Sequence, residues 1–290
     1  MPMYDVSGAH DMHVHCAPDI VDRVGDDFEV ARACRRAGYK SMLIKSHIES
    51  TVSRAYHVNK DVSGLNVYGA ITLNSPVGGI NPTAAEIALK LGAKEIFMPT
   101  SYSAAHAKIH GRPGRWAFRK DVLHVETEPV SVLDDRKRLL PEVSTILELA
   151  KEYAVPVGTG HLSAEEIILL CEKAHQIGTQ IIITHPHFHP PNLDDTTLTR
   201  LVSQGAKIEL CAGTVYPVPG YGRVEQVVQS IQSVGYKNFM ITSDAGTPTK
   251  PMPPDTLSAY LYCLMMRGIP KEQLDFMFKE NPAQIFGIPD

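Results

Sequence analysis

No long hydrophobic run, no excess of basic charge and no paired cysteine motif marks these 290 residues. A bilayer-spanning helix needs about 20 predominantly apolar residues, and no stretch here reaches that length, so a helical membrane protein is excluded. The N-terminus has no charged-then-apolar leader and neither end has a lipidation motif, so the expected location is cytoplasmic. A formal net charge of −4 offers no general attraction to phosphate backbones or anionic lipid. Neither nucleic acid nor a membrane surface is expected as a partner. Five cysteines, Cys16, Cys34, Cys171, Cys211 and Cys263, are odd in number and scattered without a CxxC pair. That is the pattern of reduced thiols. Cys34, Cys171 and Cys263 fall in helical patterns as core residues, whereas Cys16 directly follows His15. Internal repeats and low-complexity segments are also absent.

What is present is alternation. Short apolar runs at Asp11–His15, Ser41–Ser46, Asn66–Thr72, Glu95–Thr100, Val155–Gly160, Ile181–His185, Lys207–Ala212 and Phe239–Ser243 read as strands. Helical periodicity appears between them, at Phe28–Ala37, Pro141–Tyr153, Ser163–Gln176, Asp194–Gln204, Val224–Val234 and Asp255–Met266. Pro141 suits a first helical turn, and Ser163-Ala-Glu-Glu is close to a capping box. Eight strands with helical crossovers predict an α/β protein, a (β/α)8 TIM barrel, as one domain over residues 1–290. Residues 101–140 break the alternation and read as a lid-like insertion after strand 4, containing the lone Trp116. Lys271–Gly287 reads as an extra C-terminal helix that closes the barrel bottom.

The chemistry-bearing residues sit at the strand ends. His13 and His15 close strand 1, His161 follows strand 5, His185 closes strand 6 and Asp244 follows strand 8. His13 and His15 are spaced i, i+2, so both point to one face with Cα atoms about 7 Å apart. In a barrel these ends converge on one point, and imidazole and carboxylate there form a metal site. This pattern, with the closing Asn281-Pro-Ala-Gln-Ile-Phe-Gly287, resembles the amidohydrolase superfamily of metal-dependent barrels, especially its TatD-like and decarboxylase-like members. The resemblance implies that His13, His15 and Asp244 hold one ion, and that His161 and His185 hold a second.

Dinuclear members usually bridge their ions with a carboxylated lysine or a glutamate from strand 4. Strand 4 here ends Met98-Pro-Thr-Ser-Tyr102 without one. Lys45, at the end of strand 2, is the nearest candidate. A lysine there is costly unless its charge is paired or removed, and carboxylation would make it an anionic metal ligand. His47 shares its face if the strand continues. His187 and His189 follow His185, but Pro186 and Pro190 interrupt the strand. His185 is therefore the expected ligand and His187 a candidate substrate contact. His10, His57, His124 and His175 read as surface or structural residues.

A divalent ion, zinc first, with manganese or iron as alternatives, would activate water for attack on a carbonyl carbon. Asp244 would orient that water and move its proton. The expected activity is metal-dependent hydrolysis of an amide, ester, lactone or related carbonyl compound. Arg112, Arg115, Arg119 and Lys108 cluster near Tyr102 and Trp116, which suits a small anionic substrate, with Tyr102, Arg112 and Arg115 as contacts. The alternatives are a mononuclear non-oxidative decarboxylase, a metal-dependent phosphoesterase, and a non-catalytic barrel that binds metal or ligand. Retention of Asp244 argues against the last. A phosphate-cofactor barrel would leave the histidines unexplained. A homo-oligomer is compatible with this class, but no interface can be read from the sequence.

Overall fold

The structure is a computed structural model describing residues 3–115, 124–215 and 223–289, so Trp116 and Arg119 lie outside the described residues. Eight strands form a single parallel sheet in sequential order. They are β1 (His10–Val14), β2 (Ser41–Ile44), β3 (Asn66–Thr72), β4 (Glu95–Phe97), β5 (Val157–Gly158), β6 (Ile181–Thr184), β7 (Lys207–Cys211) and β8 (Phe239–Thr242). The sheet closes where the chain leaving β8 runs beside β1. Asp244 N donates to His13 O at 2.9 Å, and His15 N donates to Ala245 O at 2.8 Å. This is the expected (β/α)8 barrel. Apart from β3, each strand stops one to three residues before its apolar run does. Those last residues leave the ladder for the turns into the next helices.

The outer ring comprises α1 (Asp27–Arg36), α2 (Val52–Asp61), α3 (Pro82–Lys90), α4 (Ala104–His110), α5 (Pro141–Glu152), α6 (Ala164–Ile177), α7 (Asp195–Ser203), α8 (Val224–Val234) and α9 (Pro253–Met265). Their starts follow from local chemistry. Asp26 and Glu29 form a reciprocal capping box on α1, and Ser163 and Glu166 form another on α6. Buried faces such as Ile167, Leu170, Cys171 and Ala174 of α6 pack onto the outward side chains of the strands in one continuous core. All five cysteines are free thiols.

The barrel interior is a separate, smaller cluster. Met12, Leu43, Ala70, Phe97, Ile182 and Met240 point inward, and Phe286 and Ile288 fill the space beneath them. The chain after α10 (Lys271–Asp275) passes through a π-helical turn, Phe276–Glu280, into α11 (Asn281–Phe286), which packs against β1 and β8. The expected closure of the barrel bottom is thus made by two apolar side chains. Burying a side chain such as Phe286 contributes about 1.5–3 kcal/mol relative to leaving it in water.

The segment after β4 has more structure than its sequence suggests. Ser103 caps α4 by accepting from His106 N, and the chain returns so that Val130 N donates to Tyr102 O and Ala104 N to Val130 O, both at 2.8 Å. Among the described residues, no helix is long and apolar enough to cross a membrane.

Candidate metal centre

An irregularity in β1 sets the site. Between Asp11 and Val14 the register against β2 slips by one residue. Met12 points into the barrel, and the bulge then turns His13 and His15 inward as well, while Val14 faces the helices. His13 and His15 are almost fully buried. His13 Nδ1 donates to Glu209 Oε1 at 2.9 Å, and Thr242 Oγ1 donates to the same oxygen at 2.8 Å. Burial opposes ionisation of Glu209, but His13, Lys45 and Thr242 together hold its carboxyl below the ordinary range. With Nδ1 committed to Glu209, His13 presents the Nε2 lone pair to the strand ends, as a carboxylate-oriented metal histidine does.

Three ligand atoms meet there. Asp244 Oδ1 lies 3.3 Å from His13 Nε2 and 3.3 Å from His15 Nε2. Lys45 Nζ donates to His13 Nε2 at 2.9 Å and rests over the Phe97 ring, 4.2 Å from its centroid. His15 Nδ1 is buried without a hydrogen-bond partner. Burial works against the Asp244 carboxylate, but His13 and His15 hold its carboxyl well below the usual range. Burial pushes the Lys45 amine down from its ordinary value. An ionised carboxylate and two buried imidazoles converging at the strand ends are a donor set for a divalent ion.

Backbone geometry aims the ligands. Asp244 and His185 both have positive φ, 44° and 29°, which non-glycine residues rarely adopt. Glycines permit the crowding around them. A Cβ on Gly246 would sit 1.9 Å from His15 O, and one on Gly213 would sit 2.5 Å from Asp244 O.

The other sequence candidates divide. His161 and His185 stand side by side, with ring centroids 5.0 Å apart, and His185 lies 6.4 Å from His13. Burial pushes His185 down to about 4, and His161 well below the ordinary range. Among the described residues, the groups of ligand atoms within 4.8 Å of one another are His13–His15–Asp244 and His13–Glu209–Cys211. Neither contains His161 or His185. The second group is better read as hydrogen-bonded support, because His13 Nδ1 carries the proton given to Glu209 and burial pushes the Cys211 thiol well up.

His47 joins the cluster, stacked on His15 at 4.9 Å with its Nδ1 2.8 Å from Thr100 Oγ1. His187 does not face it. Its Nε2 bonds Ser230 Oγ on α8 at 3.0 Å, which links the β6 turn to α8. His10, read as surface or structural, is buried and bonded to Ser41 inside the barrel. Tyr102, Arg112 and Arg115 line a cavity of about 380 Å³, with Ile20, Glu126 and Glu128 across it. That cavity adjoins the site through His106, whose Nε2 lies 2.8 Å from Arg115 O and whose Nδ1 lies 3.1 Å from His161 Nδ1.

Glu209, Cys211 and His106 were missed in the sequence. The available signal for Glu209 was a carboxylate at an inward position of an otherwise apolar strand. Glu95 shows the same signal but sits below Phe97 on the inward face of β4. Both its carboxyl oxygens are buried without partners, and burial, then Glu209, push its pKa well up.

Solved structures share this fold. An amidohydrolase from Pseudomonas aeruginosa superposes with a TM-score of 0.67 at 11% identity, covering 98% of this chain and 97% of that one. A putative 2-pyrone-4,6-dicarboxylic acid hydrolase from Pseudomonas putida gives 0.62 at 12%, covering 97% of each chain. A 2,6-dihydroxybenzoate decarboxylase from Rhizobium gives 0.56 at 12%, covering 97% and 99%. These structural neighbours are amidohydrolase-superfamily members, and at such identities the likeness is one of fold. No curated protein matches the sequence. A family model matches residues 8–209, more than half of the chain, and by it the protein belongs to the family of unknown function DUF6282.

Proposed function

We propose that this protein is a metal-dependent hydrolase of a small anionic carbonyl compound, an amide, ester or lactone. The observation that carries the reading is the convergence of His13 Nε2, His15 Nε2 and Asp244 Oδ1, with the Asp244 oxygen 3.3 Å from each nitrogen. A divalent ion there, zinc or else manganese or iron, would lower the pKa of water and polarise a carbonyl oxygen. Asp244, ionised and on the open side of the pocket, takes the proton of the attacking water and returns it to the leaving group. Glu209 fixes the His13 tautomer. Lys45 as its carbamate would contribute an anionic oxygen, with His161 and His185 lining the far wall or holding a second ion. Arg112 and Arg115 bind the anionic end of the substrate in the adjoining cavity, with Tyr102 beside them.

One observation favours a second reading. The ligand atoms of His161 and His185 fall outside the three-residue group, which suits a single ion and a non-oxidative decarboxylase. Elemental analysis of untagged protein, wild type and Asp244→Asn, tests the common core. At least one ion per chain in the wild type and a large loss in the variant is expected. No metal in the wild type after reconstitution with zinc, manganese or iron would overturn both readings. Assays on panels of carboxylate-bearing esters, lactones and aromatic acids then separate hydrolysis from decarboxylation.

A further inference from the structure

Beyond the three converging ligands, a chain of hydrogen bonds runs from the segment after β4 into the site. Arg115 O can only accept, so His106 Nε2, 2.8 Å away, carries a proton. In a neutral imidazole the other nitrogen then carries none. His106 Nδ1 is therefore an acceptor, and its partner at 3.1 Å, His161 Nδ1, must be the donor. That leaves His161 as the Nδ1–H tautomer, with its lone pair on Nε2.

The scaffold holds the pair in place. Ser103 Oγ caps α4 at His106 N, 3.0 Å, and donates to His161 O at 2.7 Å, so one hydroxyl ties the helix carrying His106 to the turn carrying His161. His110 stacks on the His106 ring, with centroids 4.1 Å apart. His106 and His161 are almost fully buried.

We infer that His106 is a positioning residue through which the backbone carbonyl of Arg115 selects the His161 tautomer that presents Nε2. The side chain of Arg115 lines the 380 Å³ cavity, and its carbonyl anchors the relay. The tautomer assignment stands on these hydrogen bonds with the buried His106 ring neutral. Its consequence for a metal or a substrate rests on the function proposed above.

The test is two-bond proton–nitrogen correlation on metal-free, histidine-labelled protein, with the His161 signal identified by its loss in His161→Asn. The wild type is expected to show His161 protonated at Nδ1 only and His106 at Nε2 only. His106→Gln, which keeps an acceptor and a donor, should retain the His161 tautomer. His106→Phe should convert it to Nε2–H or a mixture. A wild-type His161 protonated at Nε2, a doubly protonated His106, or an unchanged tautomer in His106→Phe would overturn the inference. The wild-type spectrum decides the matter even if a variant fails to fold. Zinc titration of the same samples reads the proposed function separately: absence of binding with the expected tautomers would sink that function and leave this inference standing.

Discussion

Acidifying the metal-free protein from pH 7 to pH 5 is expected to weaken its fold, and His187 isolates one cause. Ser230 has one hydroxyl hydrogen and gives it to Asp195, so its oxygen accepts from His187 Nε2–H. The arrangement suits a neutral ring. Burial pushes the His187 pKa down to about 4, against the opposing pull of Asp195. The unfolded chain titrates near the ordinary value of about 6.5. A base with a lowered native pKa leaves the unfolded chain holding more protons, so stability falls as pH drops through the window from about 6.5 to 4. Between pH 7 and pH 5 this one residue costs about 2 kcal/mol. Total stabilities of roughly 5–15 kcal/mol make that loss measurable. His187→Gln keeps a donor for Ser230 and cannot titrate. Urea unfolding of both proteins at both pH values should show a pH-dependent loss smaller by about 2 kcal/mol in the variant. The difference between proteins is the readout, because other groups contribute to each slope. His185, at about 4, and His106, at about 3, act in the same direction. Asp11, pushed up to about 7 by burial, gains on acidification. Identical pH dependence in the two proteins would refute the claim that His187 is held neutral.

Further outcomes follow from the same geometry. Gly246→Ala puts a methyl 1.9 Å from His15 O at a φ of 137°, and should cost about 1–3 kcal/mol and weaken zinc binding. An unchanged melting temperature and zinc affinity would mean that β1 and the β8 turn are not clamped as described. Phe286→Ala should lose about 3–5 kcal/mol in denaturant unfolding, because it empties the larger part of the apolar plug that Phe286 and Ile288 make at the barrel bottom. Replacing Arg112 and Arg115 together by alanine should raise KM by about 10- to 100-fold with kcat nearly unchanged, the signature of lost binding. An unchanged KM would detach the cavity from substrate recognition. Metal uptake that rises with bicarbonate in the wild type but not in Lys45→Ala would support carbamate formation at Lys45, and equal responses would reject it.

The barrel was legible because its signals are local. Apolar runs such as Ile181–Thr184, the proline that opens the helix at Pro141, and the cap at Ser163 each report on a few neighbouring residues. The histidines were legible because strand ends of a parallel barrel must meet. Their proton arrangement was not, since a tautomer is fixed by what the opposite nitrogen touches. For His13 that is Glu209, 196 residues away, and for His161 it is His106, 55 away. Strict alternation fails at the β1 bulge, which lets Met12 and His13 both face inward. The chain around His187 shows the same limit. Two residues after His185 implies a shared face only while the chain stays extended, and the positive φ at His185 ends that periodicity at once. The same turn that aims His185 at the site therefore sends His187 to α8. A sequence period can find the strand that delivers a ligand, but it loses authority at the residue where the backbone turns to present it.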